Sequence, residues 1–159
     1  MLLYLDTSAL VPLLVGEAST PLCSRLWNDA TTVVSSVVLH TEAAAACGQA
    51  QRMGRITKPQ LGRSLSVLSD LIAQVSLVIV DDRLARRAAE LSVSLGLRGY
   101  DAIHPATFEL VAAPEAHMDD TEPRDAAGAS ADAALLGAWR ALRLVTIDTA
   151  RADRSLDEP

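Results

Sequence analysis

Four apolar runs of strand length punctuate the chain: LLYL (2–5), TVVSS (32–36), VSLVIV (75–80) and LVTI (144–147). Between them the apolar spacing takes a helical period. This alternation constrains the fold more than any other feature, because it calls for a parallel sheet with helices packed on both faces. The runs carry little polar alternation, as strands buried on two sides do. The segment from Ala9 to Ala30 reads as two helices, broken near Gly16 and restarted at Ser19-Thr20-Pro21, with Pro in an early helical position. Val37 to Met53 reads as an Ala-rich helix ended by Gly54, and Pro59 to Ala73 as another with Thr57 as its cap. Asp82 to Leu95 has the clearest pattern: Asp81 or Asp82 caps it, Leu84, Ala88, Leu91 and Leu95 share a face, and Gly96 stops it. Tyr100 to Val111 and Ala134 to Leu142 complete the helices. The expected fold class is α/β, with a central, mainly parallel sheet of four to five strands.

Residues 1–159 suit a single domain large enough to bury roughly two-thirds of its unfolded surface. Aromatic residues make up only 3% of the chain, so the core is expected to be aliphatic, and recognition of bases on an aromatic sheet surface is disfavoured. Cys23 and Cys47 form no CxxC motif and have no His pair near them, which points to packed, reduced thiols in a cytoplasmic setting. The N-terminus lacks the basic region of a secretory leader, and Asp6 and Pro12 interrupt its apolar run short of a membrane span. The formal net charge is −6. Most of it gathers between Ala113 and Ala134, where Glu115, Asp119, Asp120, Glu122, Asp125 and Asp132 face only Arg124. With Pro, Gly and Ser replacing periodic apolar residues there, 113–134 reads as an acidic loop insertion. Its deletion from 115 to 128 is expected to leave the fold standing.

Four carboxylates stand out by position. Asp6 follows the first strand, Glu42 lies on the helix after the second, Asp101 begins LRGYDAIHPATF, and Asp148 ends the last strand in LVTID. Each has an ordinary alternative. Asp6, Asp101 and Asp148 are suited to capping helices, with Pro12 in the first turn after Asp6, and a lone Glu on a helix is usually solvated. Right-handed crossovers, however, bring strand ends to one edge of the sheet. Four carboxylates meeting there would repel one another unless cations neutralised them, and Mg²⁺ or Mn²⁺ are the oxygen-loving ions for such a set. Ions held this way activate water for phosphodiester hydrolysis without a covalent nucleophile, consistent with the lack of a Gly-x-Ser-x-Gly or Cys/His arrangement. His104 reads as structural or groove-facing.

The set LDTSALV (5–11), VVLHTEAAAA (37–46), LRGYDAIHPAT (97–107) and LVTIDTARAD (144–153) resembles the PIN-domain family, and within it the VapC-type ribonuclease toxins of toxin–antitoxin pairs. The resemblance implies a PIN-like three-layer α/β/α fold and a catalytic metal site of Asp6, Glu42, Asp101 and Asp148 holding Mg²⁺ or Mn²⁺. It implies supporting roles for Thr7 or Ser8 beside the first carboxylate and for Thr146 near the last. Single-stranded or loop RNA is the implied substrate, with Arg151 and Arg154 as candidate phosphate contacts, a VapB-type antitoxin as partner, and a homodimer as the assembly. Pro105 departs from the family pattern: it removes a hydrogen bond to the Asp101 carbonyl, so the helix is expected to kink or begin late. That departure and the insertion leave a catalytically weak or inactive PIN-like binding module as the alternative. Two other classes that use strand-end acids fit less well. An aspartyl-nucleophile phosphatase needs a second Asp where Ser8 stands, and a receiver-like signalling domain needs a strand-end Lys, whereas the chain's one lysine, Lys58, falls in a helical region.

Overall fold

The computed structural model describes residues 1–113 and 125–151. Its elements are β1 (Leu2–Leu5), α1 (Thr7–Val15), α2 (Thr20–Asp29), β2 (Thr32–Ser36), α3 (Val38–Arg52), α4 (Lys58–Ile72), β3 (Ser76–Val78), α5 (Asp82–Leu95), α6 (Ile103–Ala112), β4 (Ala126–Ser130), α7 (Ala133–Ala141) and β5 (Thr146–Asp148). The five strands pair in parallel in the order β3-β2-β1-β4-β5. Strand order therefore reverses at β1, the topological switch point where open parallel sheets form a crevice beyond their carboxyl ends.

Side-chain alternation along β1 explains the three layers. Leu3 and Leu5 join Leu10, Leu39, Ala43, Cys47 and Leu68 on the face covered by α1, α3 and α4. Leu2 and Tyr4 point the other way, onto Phe108 of α6 and Leu136 and Trp139 of α7. A chain poor in aromatics has thus gathered three of its rings in one place: Tyr4 stacks on Phe108 at 5.1 Å, and Trp139 meets both edge-on.

The local signals set most boundaries. Asp81 accepts from the Leu84 amide at 2.8 Å and Gly96 adopts the left-handed conformation, so α5 begins and ends where its sequence indicates. Thr57 and Gln60 close a capping box on α4. Two prolines resolve differently. Pro12 lies inside α1 rather than in its first turn. Pro105 falls in the first turn of α6, because the helix begins late, at Ile103, and leaves Asp101 in the preceding turn. A first-turn amide has no intrahelical acceptor, so proline costs little there.

The reading of 113–134 as a loop is overturned at its C-terminal part. Residues 114–124 lie outside the described residues, but Ala126–Ser130 is a strand buried along its whole length between β1 and β5. Deletion through residue 128 would therefore remove part of a central strand. The sequence AAGAS hides it because strand propensity largely reports packing on the pleated surface. A Cβ placed on Gly128 would sit 2.6 Å from Phe108 and 2.8 Å from Trp139, so the aromatic cluster already fills the space that a β-branched residue would need.

Candidate active site

The carboxyl ends of β1 and β4 open into a cleft of about 570 Å³. Asp6, at the end of β1, is buried yet fully partnered on one side only. Its Oδ2 accepts from the Ser8 amide at 3.2 Å, the Ser8 hydroxyl at 2.5 Å and the Ser130 hydroxyl at 2.8 Å. Asp6 thus both caps α1 and stands in the cleft. Among the described residues no hydrogen bond reaches Oδ1, which lies 3.7 Å from Nε2 of His104.

Glu42 comes from α3 and is fixed in the same one-sided manner. Thr7 Oγ1 donates to its Oε2 at 2.5 Å, and His104 Nε2 lies 2.9 Å from that oxygen. Burial works to raise the Glu42 pKa, but the hydrogen bond and charge of His104 and the hydrogen bond from Thr7 outweigh it and hold the carboxyl below its ordinary value. Burial likewise pushes His104 down, and its bond to Glu42 with the charges of Asp6, Glu42 and Asp101 raises it above the ordinary imidazole value. On the far side of the ring, Nδ1 lies 3.0 Å from the Tyr4 hydroxyl. That phenol is held far above its usual range, first by burial and then by the Asp6 charge.

Of the four acids singled out in the sequence, Asp6, Glu42 and Asp101 line the cleft. Asp148 does not: it ends the edge strand β5, accepts from the Ala150 amide at 3.0 Å and pairs with Arg151 at 3.1 Å. Thr146 accepts from Arg140 Nε at 3.2 Å and also stands apart from the cleft, whereas Thr7 and Ser8 line it and bind its carboxylates. Arg151 is committed to Asp148, and Arg154 lies outside the described residues. The acid that does join the cleft from this part of the chain is Asp132. It caps α7 by accepting from Ala134 and Leu135, and its own amide donates to Ser130 Oγ at 2.9 Å. Its signal in the sequence was an acid just ahead of an apolar helical run, masked by the unrecognised strand before it.

The donor set fits a divalent cation. Asp6, Glu42 and His104 each offer a ligand atom within 4.8 Å of the others, and Asp101 and Asp132 add carboxylates to the same cleft. Oxygen donors predominate, as hard ions prefer, and Asp6 keeps one carboxylate oxygen free of hydrogen bonds from the described residues. Glu17 lines the mouth and pairs with Arg55.

Fold and cleft together define a three-layer α/β/α protein with a carboxylate-lined crevice at its switch point. Residues 3–129 match the PIN domain. Over 113 residues the chain is 32% identical to ribonuclease VapC45 of Mycobacterium tuberculosis (strain CDC 1551 / Oshkosh) and, equally, to ribonuclease VapC49 of strain ATCC 25618 / H37Rv. Each alignment covers 71% of this chain and 78% of the relative. The chain belongs to the PIN domain family.

Proposed function

We propose that the protein is a Mg²⁺- or Mn²⁺-dependent endoribonuclease that hydrolyses phosphodiester bonds in single-stranded or loop RNA, and that it acts as the toxin of a toxin–antitoxin pair. The observation that carries this reading is the asymmetry of Asp6: three donors hold one oxygen, and the other, with no donor among the described residues, stands 3.7 Å from His104 in a cleft shared with Glu42, Asp101 and Asp132. The names of the two mycobacterial relatives support RNA as the substrate.

In this reading Asp6, Glu42, Asp101 and Asp132 hold the metal, and Asp148 serves as an edge-strand cap. A bound divalent ion would supply an acidified water as nucleophile and neutralise charge on the phosphate. The chain's own work is positional. Ser8 and Ser130 fix the Asp6 carboxylate at the end of β1, and Thr7 and His104 fix Glu42 on α3. A residual negative charge in the cleft also suits a basic side chain from a VapB-type antitoxin, which would mask the site. Exposed apolar side chains such as Ile79 and Val93 offer surface for a homodimer or for that partner. A cytoplasmic location belongs to the same proposal; among the described residues no helix is long and apolar enough to cross a membrane.

The test is cleavage of single-stranded RNA oligonucleotides by the purified protein with Mn²⁺ or with EDTA, alongside Asp6→Asn. Cutting is expected only for the wild type with metal, with the variant retaining its circular dichroism spectrum. Cutting in EDTA would remove the metal from the mechanism, and cutting by Asp6→Asn would remove Asp6.

A further inference from the structure

Four side chains from four elements form an unbroken hydrogen-bonded line through the buried wall of the cleft: Tyr4 of β1, His104 of α6, Glu42 of α3 and Thr7 of α1. Tyr4 is fully buried and His104 is 3% exposed, so this geometry is held by the core and not by solvent. The direction of each bond follows from what each group is able to give. A carboxylate oxygen accepts, and an imidazole N–H donates. Nε2 of His104 faces Oε2 of Glu42 at 2.9 Å, the position of an N–H donor. In the neutral ring, the Tyr4 hydroxyl donates to Nδ1; in the imidazolium, Nδ1–H donates to the Tyr4 oxygen. Either way both ring nitrogens are engaged by neighbouring side chains, Nε2 by Glu42 and Nδ1 by Tyr4.

From this we infer that His104, oriented by Tyr4, is a positioning residue that fixes which oxygen of Glu42 faces the metal, and is not itself a metal ligand. The inference rests on the metal-dependent reading above. Among the described residues Oε2 of Glu42 takes both donors, Thr7 and His104, so Oε1 would be the oxygen left for an ion, matching Oδ1 of Asp6, which has no donor among those residues. The same ring stands 3.7 Å from Asp6 Oδ1, which places one buried N–H between the two carboxylates and limits how either can swing. Partners of this kind, which touch a ligand and not the ion, commonly set metal affinity by about 10- to 100-fold.

Two measurements test the two parts separately. The chain has three histidines, so the imidazole nitrogen resonances of ¹⁵N-labelled, metal-free protein are assignable with His104→Gln. The Nε2 of His104 is expected to be protonated at neutral pH, and an unprotonated Nε2 would overturn the relay whatever the protein's activity. Mn²⁺ is then titrated calorimetrically into wild type, Tyr4→Phe, His104→Gln and His104→Leu, each first checked by thermal melting. Tyr4→Phe and His104→Leu are expected to bind Mn²⁺ roughly 10-fold or more weaker, and His104→Gln, whose amide N–H still reaches toward Glu42, within about 3-fold of wild type. Should either weakened variant fail to fold, the other and His104→Gln still decide. Electron spin-echo modulation of the bound Mn²⁺ should show no directly coordinated ¹⁴N. Coordinated ¹⁴N, or a Tyr4→Phe variant that binds as tightly as wild type, would overturn the positioning role alone. A wild type that binds no Mn²⁺ would overturn the nuclease reading along with it.

Discussion

Asp132 and Asp148 sit in similar local sequences, ASADAA and VTIDTA, and both lie at or just past the carboxyl end of a parallel strand. Both also accept a backbone amide two residues on. Only Asp132 reaches the cleft. The difference lies in the sheet: β4 is hydrogen-bonded to β1, which carries Asp6, whereas β5 is one strand further out. Two strand spacings amount to roughly 10 Å, more than a carboxylate side chain spans. What qualifies a strand-end acid for the site is its distance from the switch point, and its local motif does not report that distance.

This contrast is best broken by exchanging one atom at each position. Asp132→Asn keeps a capping side chain, so the fold should hold, while RNA cleavage with Mn²⁺ is expected to fall by roughly 100-fold. Single-turnover assays against Asp148→Asn make the comparison, and equal losses at the two positions would erase it. The strand that distinguishes the two acids should itself be sensitive. Gly128→Ala drives a methyl against Phe108 and Trp139, for an expected loss of about 1–3 kcal/mol in urea unfolding. Ser130→Ala, on the same strand, removes one of three donors to Asp6 Oδ2 and should raise the Mn²⁺ concentration for half-maximal cleavage by about 10-fold. On the β5 side the effects should be smallest: Asp148→Asn and Thr146→Ala are expected to leave cleavage within about 3-fold of wild type, since their contacts are to Arg151, Ala150 and Arg140. A large loss at Asp148 would show that β5 reaches the substrate after all.

The parts of the fold that the sequence conveyed were those with a local cause. The caps of α4 and α5 are made by side chains within a few residues of the amides they bind, so Thr57, Asp81 and Gly96 mark real boundaries. β1 is legible because LLYL is buried on both faces and says so in composition. Within the site, Thr7 and Ser8 follow Asp6 directly and could be picked out with it. β4 escaped because its burial is satisfied by rings from α6 and α7, which leave room only for small residues. Asp132 went with it, and LVTID drew attention to a strand end that does not line the cleft. The link between Tyr4 and His104 spans 100 positions, and nothing in either residue's neighbourhood announces it.

The chain alone thus determined an alternating α/β protein with acids after its first and second strands and before its sixth helix, because turns, caps and burial patterns are set by neighbouring residues. Only the tertiary structure decided which strands lie side by side, and with that which aspartate completes the cleft and which histidine nitrogen faces Glu42. Strand order is fixed by packing between segments far apart in sequence, where a ring from one helix fills the space left by a glycine in a distant strand, and such complementarity has no short-range signature.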